Sequence, residues 1–160
     1  MTQTRKMTRL AMPIVFASIL LGGCGSGDKK PLTKAEFVSK ANAICAPFTK
    51  RVRAETKAGE ISSTNKEAVS STSRLLPLFD DQVARLKELV PPGDEQRTYG
   101  QAMVLSEEIS SNFTELLAAL RKNDEAAIWR IGKAISQIAV KRDILFIKLG
   151  TKKCATTTIG

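Results

Sequence analysis

The chain has 160 residues, enough for one domain around a single core, with 42% hydrophobic and 26% charged residues as in ordinary folded proteins. It contains no histidine, which excludes Ser-His-Asp and Cys-His nucleophile systems, H-E-x-x-H metal sites and any imidazole base. Lys and Arg number 25 against 16 Asp and Glu, a formal charge of +9, so an anionic partner is the first one to consider.

The N-terminus has three parts. Arg5, Lys6 and Arg9 form a positive region, Leu10 to Leu21 an apolar stretch, and Gly22-Gly23 a small-residue run before Cys24. The apolar stretch rises about 18 Å as a helix, short of a hydrocarbon core of about 30 Å. It therefore reads as a secretory signal and not as a membrane span. Leu21-Gly22-Gly23-Cys24 resembles the lipobox of bacterial lipoproteins, in which a branched apolar residue and two small residues precede a cysteine. The resemblance implies that residues 1–23 are removed, that the Cys24 thiol carries a diacylglyceryl group, and that the protein is anchored outside the cytoplasm. Each buried acyl methylene contributes about 0.8 kcal/mol, so two or three chains such as palmitate hold stably where one does not. Residues 24–32 would be the lipidated cysteine and a short tether, with Lys29 and Lys30 near the headgroups. Loss of the leader leaves 22 basic against 16 acidic residues, +6. Export makes nucleic acid an unexpected partner for that charge. An anionic lipid surface, an acidic wall polymer or an acidic envelope protein remain.

From Thr33 onward the periodicity is helical, with no sustained two-residue alternation. The first segment runs from about Thr33 to Ala58. Thr33-Lys34-Ala35-Glu36 is a capping box, and Leu32 and Phe37 occupy the positions of a hydrophobic staple. Phe37, Ala41, Ile44, Cys45, Phe48 and Val52 share its apolar face, Pro47 predicts a kink or break near Ala43–Ala46, and Gly59 suits the stop. The second segment, about Thr64 to Val90, opens with the capping box Thr64-Asn65-Lys66-Glu67. Its stripe is Val69, Leu75, Leu76, Phe79, Val83, Leu86 and Val90, with Pro77 as a second expected kink and Pro91-Pro92-Gly93 as the terminator.

The third segment, about Asp94 to Arg121, carries a heptad seam of Tyr99, Ala102, Ser106, Ile109, Phe113, Leu116 and Leu120. The fourth, about Asp124 to Leu149, repeats that spacing with Ile128, Ile131, Ile135, Ile138, Leu145 and Leu149, and Arg142 intrudes once. Gly150 suits a C-terminal cap, and Lys148, Lys152 and Lys153 suit the negative end of the helix dipole. Four amphipathic helices of similar length with short connections predict an all-α domain over 33–160, an antiparallel up-down-up-down four-helix bundle.

If Cys24 is lipidated, two cysteines remain, and Cys45 can pair only with Cys154. The bond would close a loop of over a hundred residues, worth about 4–5 kcal/mol in the chain-entropy account. It requires the tail after Gly150 to double back along the first helix, or the fourth helix to end beside Cys45. Phe37-x-x-x-Ala41-Asn42-Ala43-Ile44-Cys45, Pro91-Pro92 and Leu149-Gly150-x-x-x-Cys154 resemble a group of small actinobacterial lipoproteins and secreted proteins. That resemblance implies the disulfide and the bundle and brings no activity with it.

No catalytic constellation, metal set or cofactor motif is legible. A wall-glycan hydrolase would need paired carboxylates, for which Glu107, Glu108 and Glu115 are the candidates, but their positions suit a solvated face. Di-metal bundles need Glu-x-x-His pairs, which the chain lacks. Trp129, at the edge of the fourth seam, suits packing better than ligand stacking. Charge is more informative: the first segment carries six basic and two acidic residues, the fourth five and three, the third two and five. With the first and fourth helices adjacent, Lys50, Arg51, Arg53, Lys57, Arg130, Lys133, Lys141 and Lys148 would form one basic edge for an anionic surface. The expected function is a lipid-anchored, extracytoplasmic, non-catalytic binding or structural module. The alternative is a carrier holding a small apolar ligand between helices splayed at Pro47 and Pro77, with the hydrolase third.

Overall fold

A computed structural model describes residues 30–57 and 64–156. These form four helices, α1 (Lys34–Lys57), α2 (Asn65–Lys87), α3 (Gln96–Lys122) and α4 (Glu125–Lys148), with 3-10 turns at Gly93–Glu95 and Lys152–Cys154. Among the described residues there is no strand, and no helix is long and apolar enough to cross a membrane. The leader, Cys24 and the expected stop at Gly59 lie outside the described residues.

The caps explain where the helices begin. Thr33 N–H donates to Glu36 Oε2 at 2.9 Å and Glu36 N–H to Thr33 Oγ1 at 3.4 Å, so two donors at the start of α1 are satisfied reciprocally. The Thr33 hydroxyl and backbone N–H together hold the Glu36 carboxyl below the ordinary carboxylate range. Thr64 and Glu67 repeat the box at α2, and Asp124 accepts from Ala127 N–H at 3.0 Å at α4. Asn123, left-handed at φ 56°, ends α3 and turns the chain directly into α4. The expected break at Pro47 does not occur: α1 and α2 run through Pro47 and Pro77 without interruption. Each proline removes one backbone donor, and the buried Cys45 and Phe48 in α1, with Phe79 and Val83 in α2, secure the turns on either side.

Side chains and chain ends show which parts meet. Leu32 N–H donates to Val90 O at 3.0 Å, joining the approach to α1 to the end of α2. Asn65 Nδ2 donates to Leu120 O at 2.8 Å and to Asn123 Oδ1 at 2.6 Å, joining the start of α2 to the end of α3. Aromatic contacts run through the core: Phe37 meets Tyr99 edge-on at 5.0 Å between ring centroids, Phe48 meets Phe79 at 5.1 Å, and Phe79 meets Phe113 at 5.9 Å. Tyr99, Ala102, Ser106, Ile109 and Leu120 of the expected third seam are buried, as are Ile131, Ile138 and Leu149 of the fourth.

The expectation that the first and last helices are direct neighbours is corrected. No Cα of α1 lies within 8 Å of a Cα of α4, whereas the 3-10 turn at Lys152–Cys154 packs on both. Gly150, at φ +79°, reverses the chain after α4, and an added Cβ there would lie 3.4 Å from Val38 Cγ2 of α1. The tail thus doubles back along α1.

Tyr99 is the chain's only tyrosine, so its ionisation can be followed by absorbance alone. Its hydroxyl donates to Leu86 O at 2.6 Å, and burial pushes the phenol pKa upward from 10.0. The fold holds the neutral phenol, so the stability linked to it is complete below about pH 10 and falls as pH rises beyond that. Tyr99→Phe should cost about 0.5–1.5 kcal/mol at neutral pH, and its deficit should shrink above about pH 10 as the parent weakens. Ordinary ionisation near pH 10 in the folded parent would contradict this.

Candidate functional site

The tail from Leu149 to Thr156 is fastened from both sides. On the α1 side, Cys45 and Cys154 form a disulfide with their Cα atoms 4.9 Å apart. Lys153 is pinned by its backbone: its N–H donates to Asn42 Oδ1 at 2.9 Å, and its carbonyl accepts from Thr49 Oγ1 at 2.6 Å. On the α4 side, the Thr151 N–H and hydroxyl donate to Phe146 O at 2.9 and 3.0 Å.

Beneath the tail lies a buried ion pair. Arg142, with 2% of its side chain exposed, donates from Nε and Nη2 to Oδ1 of Asp143, which is fully buried, at 3.0 and 2.7 Å. Arg142 Nη2 also donates to Thr156 Oγ1 at 2.9 Å, and Thr156 N–H donates to Asp143 Oδ2 at 2.8 Å. The guanidinium lies over the rings of Phe79 and Phe146, at 5.5 and 5.9 Å from their centroids. The residue that interrupts the fourth seam is therefore a core cation that ties the tail to α4. Sequence reading noted the interruption but missed the pair, because adjacent helical residues do not ordinarily face one another.

Two concave features flank the tail. Inside, a cavity of about 290 Å³ lies among all four helices, with Phe48, Leu75, Phe79, Phe113 and Ile135 on its walls and Arg142 and Thr156 at one side. Outside, a groove of about 600 Å³ runs between α1 and the tail, lined by Ala46, Thr49, Lys50, Arg53, Ala54, Lys152 and Lys153. Among the described residues no carboxylate lines this groove. Lys152 and Lys153, read from sequence only as partners of the helix dipole, thus stand opposite Lys50 and Arg53.

The single basic edge expected along the first and fourth helices is corrected accordingly. Lys50 and Arg53 meet the tail lysines, Arg51 is exposed outside the groove, and the side chain of Lys57 lies outside the described residues. Arg130, Lys133, Lys141 and Lys148 are exposed on α4, but the tail separates that helix from α1. Lys141 lines a different groove with Gln96, Arg97 and Val104 of α3. Lys133 Nζ sits 5.2 Å from the Trp129 ring centroid, and Trp129 is 70% exposed, which corrects its reading as a packing residue. Glu107, Glu108 and Glu115 are all exposed, and Glu107 is paired with Lys87. Across the α2–α3 groove Asp80 accepts from Ser110, so both carboxylates there are engaged. No group of three potential metal ligands occurs among the described residues.

Comparison of the chain with protein-family models, curated proteins and solved structures found no match.

The buried pair gives a stability test. Asp143→Ala leaves the guanidinium uncompensated in the core and should cost about 3–5 kcal/mol, whereas replacing both residues with Met and Leu should restore much of that loss. Urea denaturation of the disulfide-intact protein measures both. A loss under about 1 kcal/mol for Asp143→Ala would show that the pair is solvated.

Proposed function

We propose that the protein is a lipid-anchored lipoprotein of the bacterial cell envelope, cut before Cys24 and held outside the cytoplasm by its acyl chains. In this reading residues 33–160 form an antiparallel four-helix bundle that serves as a non-catalytic binding module without a cofactor. The three-part leader with Leu21-Gly22-Gly23-Cys24 supports the anchor, and the helix ends that meet at Leu32–Val90 and Asn65–Leu120 support the antiparallel arrangement.

One observation carries the binding role: Lys50, Arg53, Lys152 and Lys153 converge on one groove, and among the described residues no carboxylate lines it. Cations brought together in this way favour a ligand that presents several negative charges along a chain. The groove begins about 20 Å along α1 from Thr33, where the tether joins. A lipid anchor at residue 24 would leave the groove at the far end of the domain, facing an acidic wall polymer or envelope protein more readily than the protein's own membrane. Nucleic acid is not among the proposed partners.

A second reading, a carrier of a small apolar ligand, is favoured by the cavity of about 290 Å³ among the helices. The engaged carboxylates at Asp80 and Glu107 give the hydrolase reading no support.

Metabolic labelling with a fatty-acid probe tests the anchor: the parent should be tagged and Cys24→Ala should not, and equal tagging would remove the proposal. For the groove, the mature chain carrying Cys24→Ala should bind an anionic polyphosphodiester with an affinity that falls as salt rises. Lys50→Glu with Lys153→Glu should weaken binding about tenfold or more, while Lys133→Glu with Lys141→Glu should have little effect. Binding to anionic vesicles but not to the polymer would reassign the partner to the membrane. Indifference to salt and to both pairs of substitutions would remove the role.

A further inference from the structure

We infer that the interior cavity takes a small, uncharged, mainly apolar molecule that carries one acceptor oxygen, a ketone or ester, held by the guanidinium of Arg142. The inference rests on the carrier reading and specifies its ligand. The volume of about 290 Å³ is roughly twice that of an engineered apolar cavity that binds benzene, so a bicyclic body fits the space. Phe48, Phe79 and Phe113 supply aromatic walls for it.

The polar demand comes from the side chain at one side. Arg142 is 98% buried, and its Nε and Nη2 donate to Asp143 and Thr156. Its remaining nitrogen, Nη1, carries two N–H donors and meets no acceptor among the described residues. Nη1 is not sealed off from solvent, so the empty cavity leaves it to water; a guest that displaces that water without offering an acceptor strands the donor, whereas one that brings an acceptor oxygen replaces the lost hydrogen bond. The charge of the guanidinium is already matched by the fully buried Asp143 carboxylate. An anionic guest would leave a net negative charge in a poorly solvated site, whereas a neutral carbonyl oxygen accepts the hydrogen bond without adding charge. The contacts with Phe79 and Phe146 fix the guanidinium in place, so Nη1 is preorganised for this role.

The cavity can be closed from α4 without disturbing the ion pair. Gly132 lines it, and an added Cβ there meets nothing within 4 Å. Gly132→Leu should fill the space and leave the melting temperature unchanged or higher, since leucine also favours the helix. Gly132→Ala is the control that leaves most of the volume.

Acetylnaphthalene, ethylnaphthalene and naphthoate serve as probes of matched size, with binding to the disulfide-intact mature protein measured by calorimetry. Acetylnaphthalene should bind about tenfold or more tighter than ethylnaphthalene and tighter than naphthoate, and Gly132→Leu should abolish its binding while Gly132→Ala should not. Equal binding of the acetyl and ethyl compounds, both blocked by Gly132→Leu, would keep a carrier but overturn the role of Arg142. Preference for naphthoate would overturn the uncharged head. Absence of binding by all three, or binding indifferent to Gly132→Leu, would overturn both the inference and the carrier reading.

Discussion

The arrangement depends on how the last eight described residues are held between two helices whose Cα atoms nowhere come within 8 Å of one another. A four-helix domain ordinarily closes by packing its first helix on its last. Here that closure is made by the tail, with a disulfide and the pinned Lys153 backbone on one side and a buried guanidinium–carboxylate pair on the other. The two fastenings differ in character. The cross-link closes a sequence separation of 109 residues and acts chiefly by restricting the unfolded chain. The ion pair has to recover the desolvation of two charges and does so only because Thr156 and the Arg142 donors complete one another's hydrogen bonds. The tail is thus a structural element in its own right, although it contains only one short 3-10 turn.

Both candidate sites follow from that insertion. On the outer side the tail brings Lys152 and Lys153 across from Lys50 and Arg53. On the inner side Thr156 and Arg142 border the space that the four helices leave. Like charges gathered in a groove repel, and the rigid hold on the Lys153 backbone keeps the tail lysines from relaxing away. The same rigidity gives Arg142 a fixed orientation over Phe79 and Phe146.

Much of the helical layout is legible in the residues themselves. The capping boxes at Thr33 and Thr64 place the starts of α1 and α2 to within a residue, and the three- and four-residue spacing from Tyr99 to Leu120 identifies the buried face of α3. These signals are local: a cap and a stripe each lie within a few turns of one helix. The tail was not legible in the same way. Lys152 and Lys153 belong to a segment with no periodicity, and what they face depends on Gly150 reversing the chain and on a cross-link to a residue 109 positions away. Arg142 was visible as a break in the fourth seam, but the seam alone cannot tell a charge turned toward water from one paired in the core. Pro47 marks the limit of a strong local rule: the helix is not broken there, and buried neighbours on either side hold its turns together.

A short segment with a dibasic pair, bonded to a helix by a disulfide, makes sense only where disulfides persist, and that condition agrees with export by the proposed leader. The position of the groove adds a constraint. If the chain is anchored at residue 24, the nine residues of the tether reach about 30 Å at full extension, comparable to the distance along α1 to the groove. The domain could then lie flat with the cations on its own membrane or stand with them directed into the wall. Charge separates the two arrangements. At the tether end Lys34 is paired with Glu95, and Glu36 and Asp94 stand among Lys30, Arg97 and Lys148, so charges of both signs are mixed there. Lys50, Lys152 and Lys153 gather with Arg53 at the tail, well along α1 from the tether, which favours the upright arrangement and a partner beyond the membrane plane.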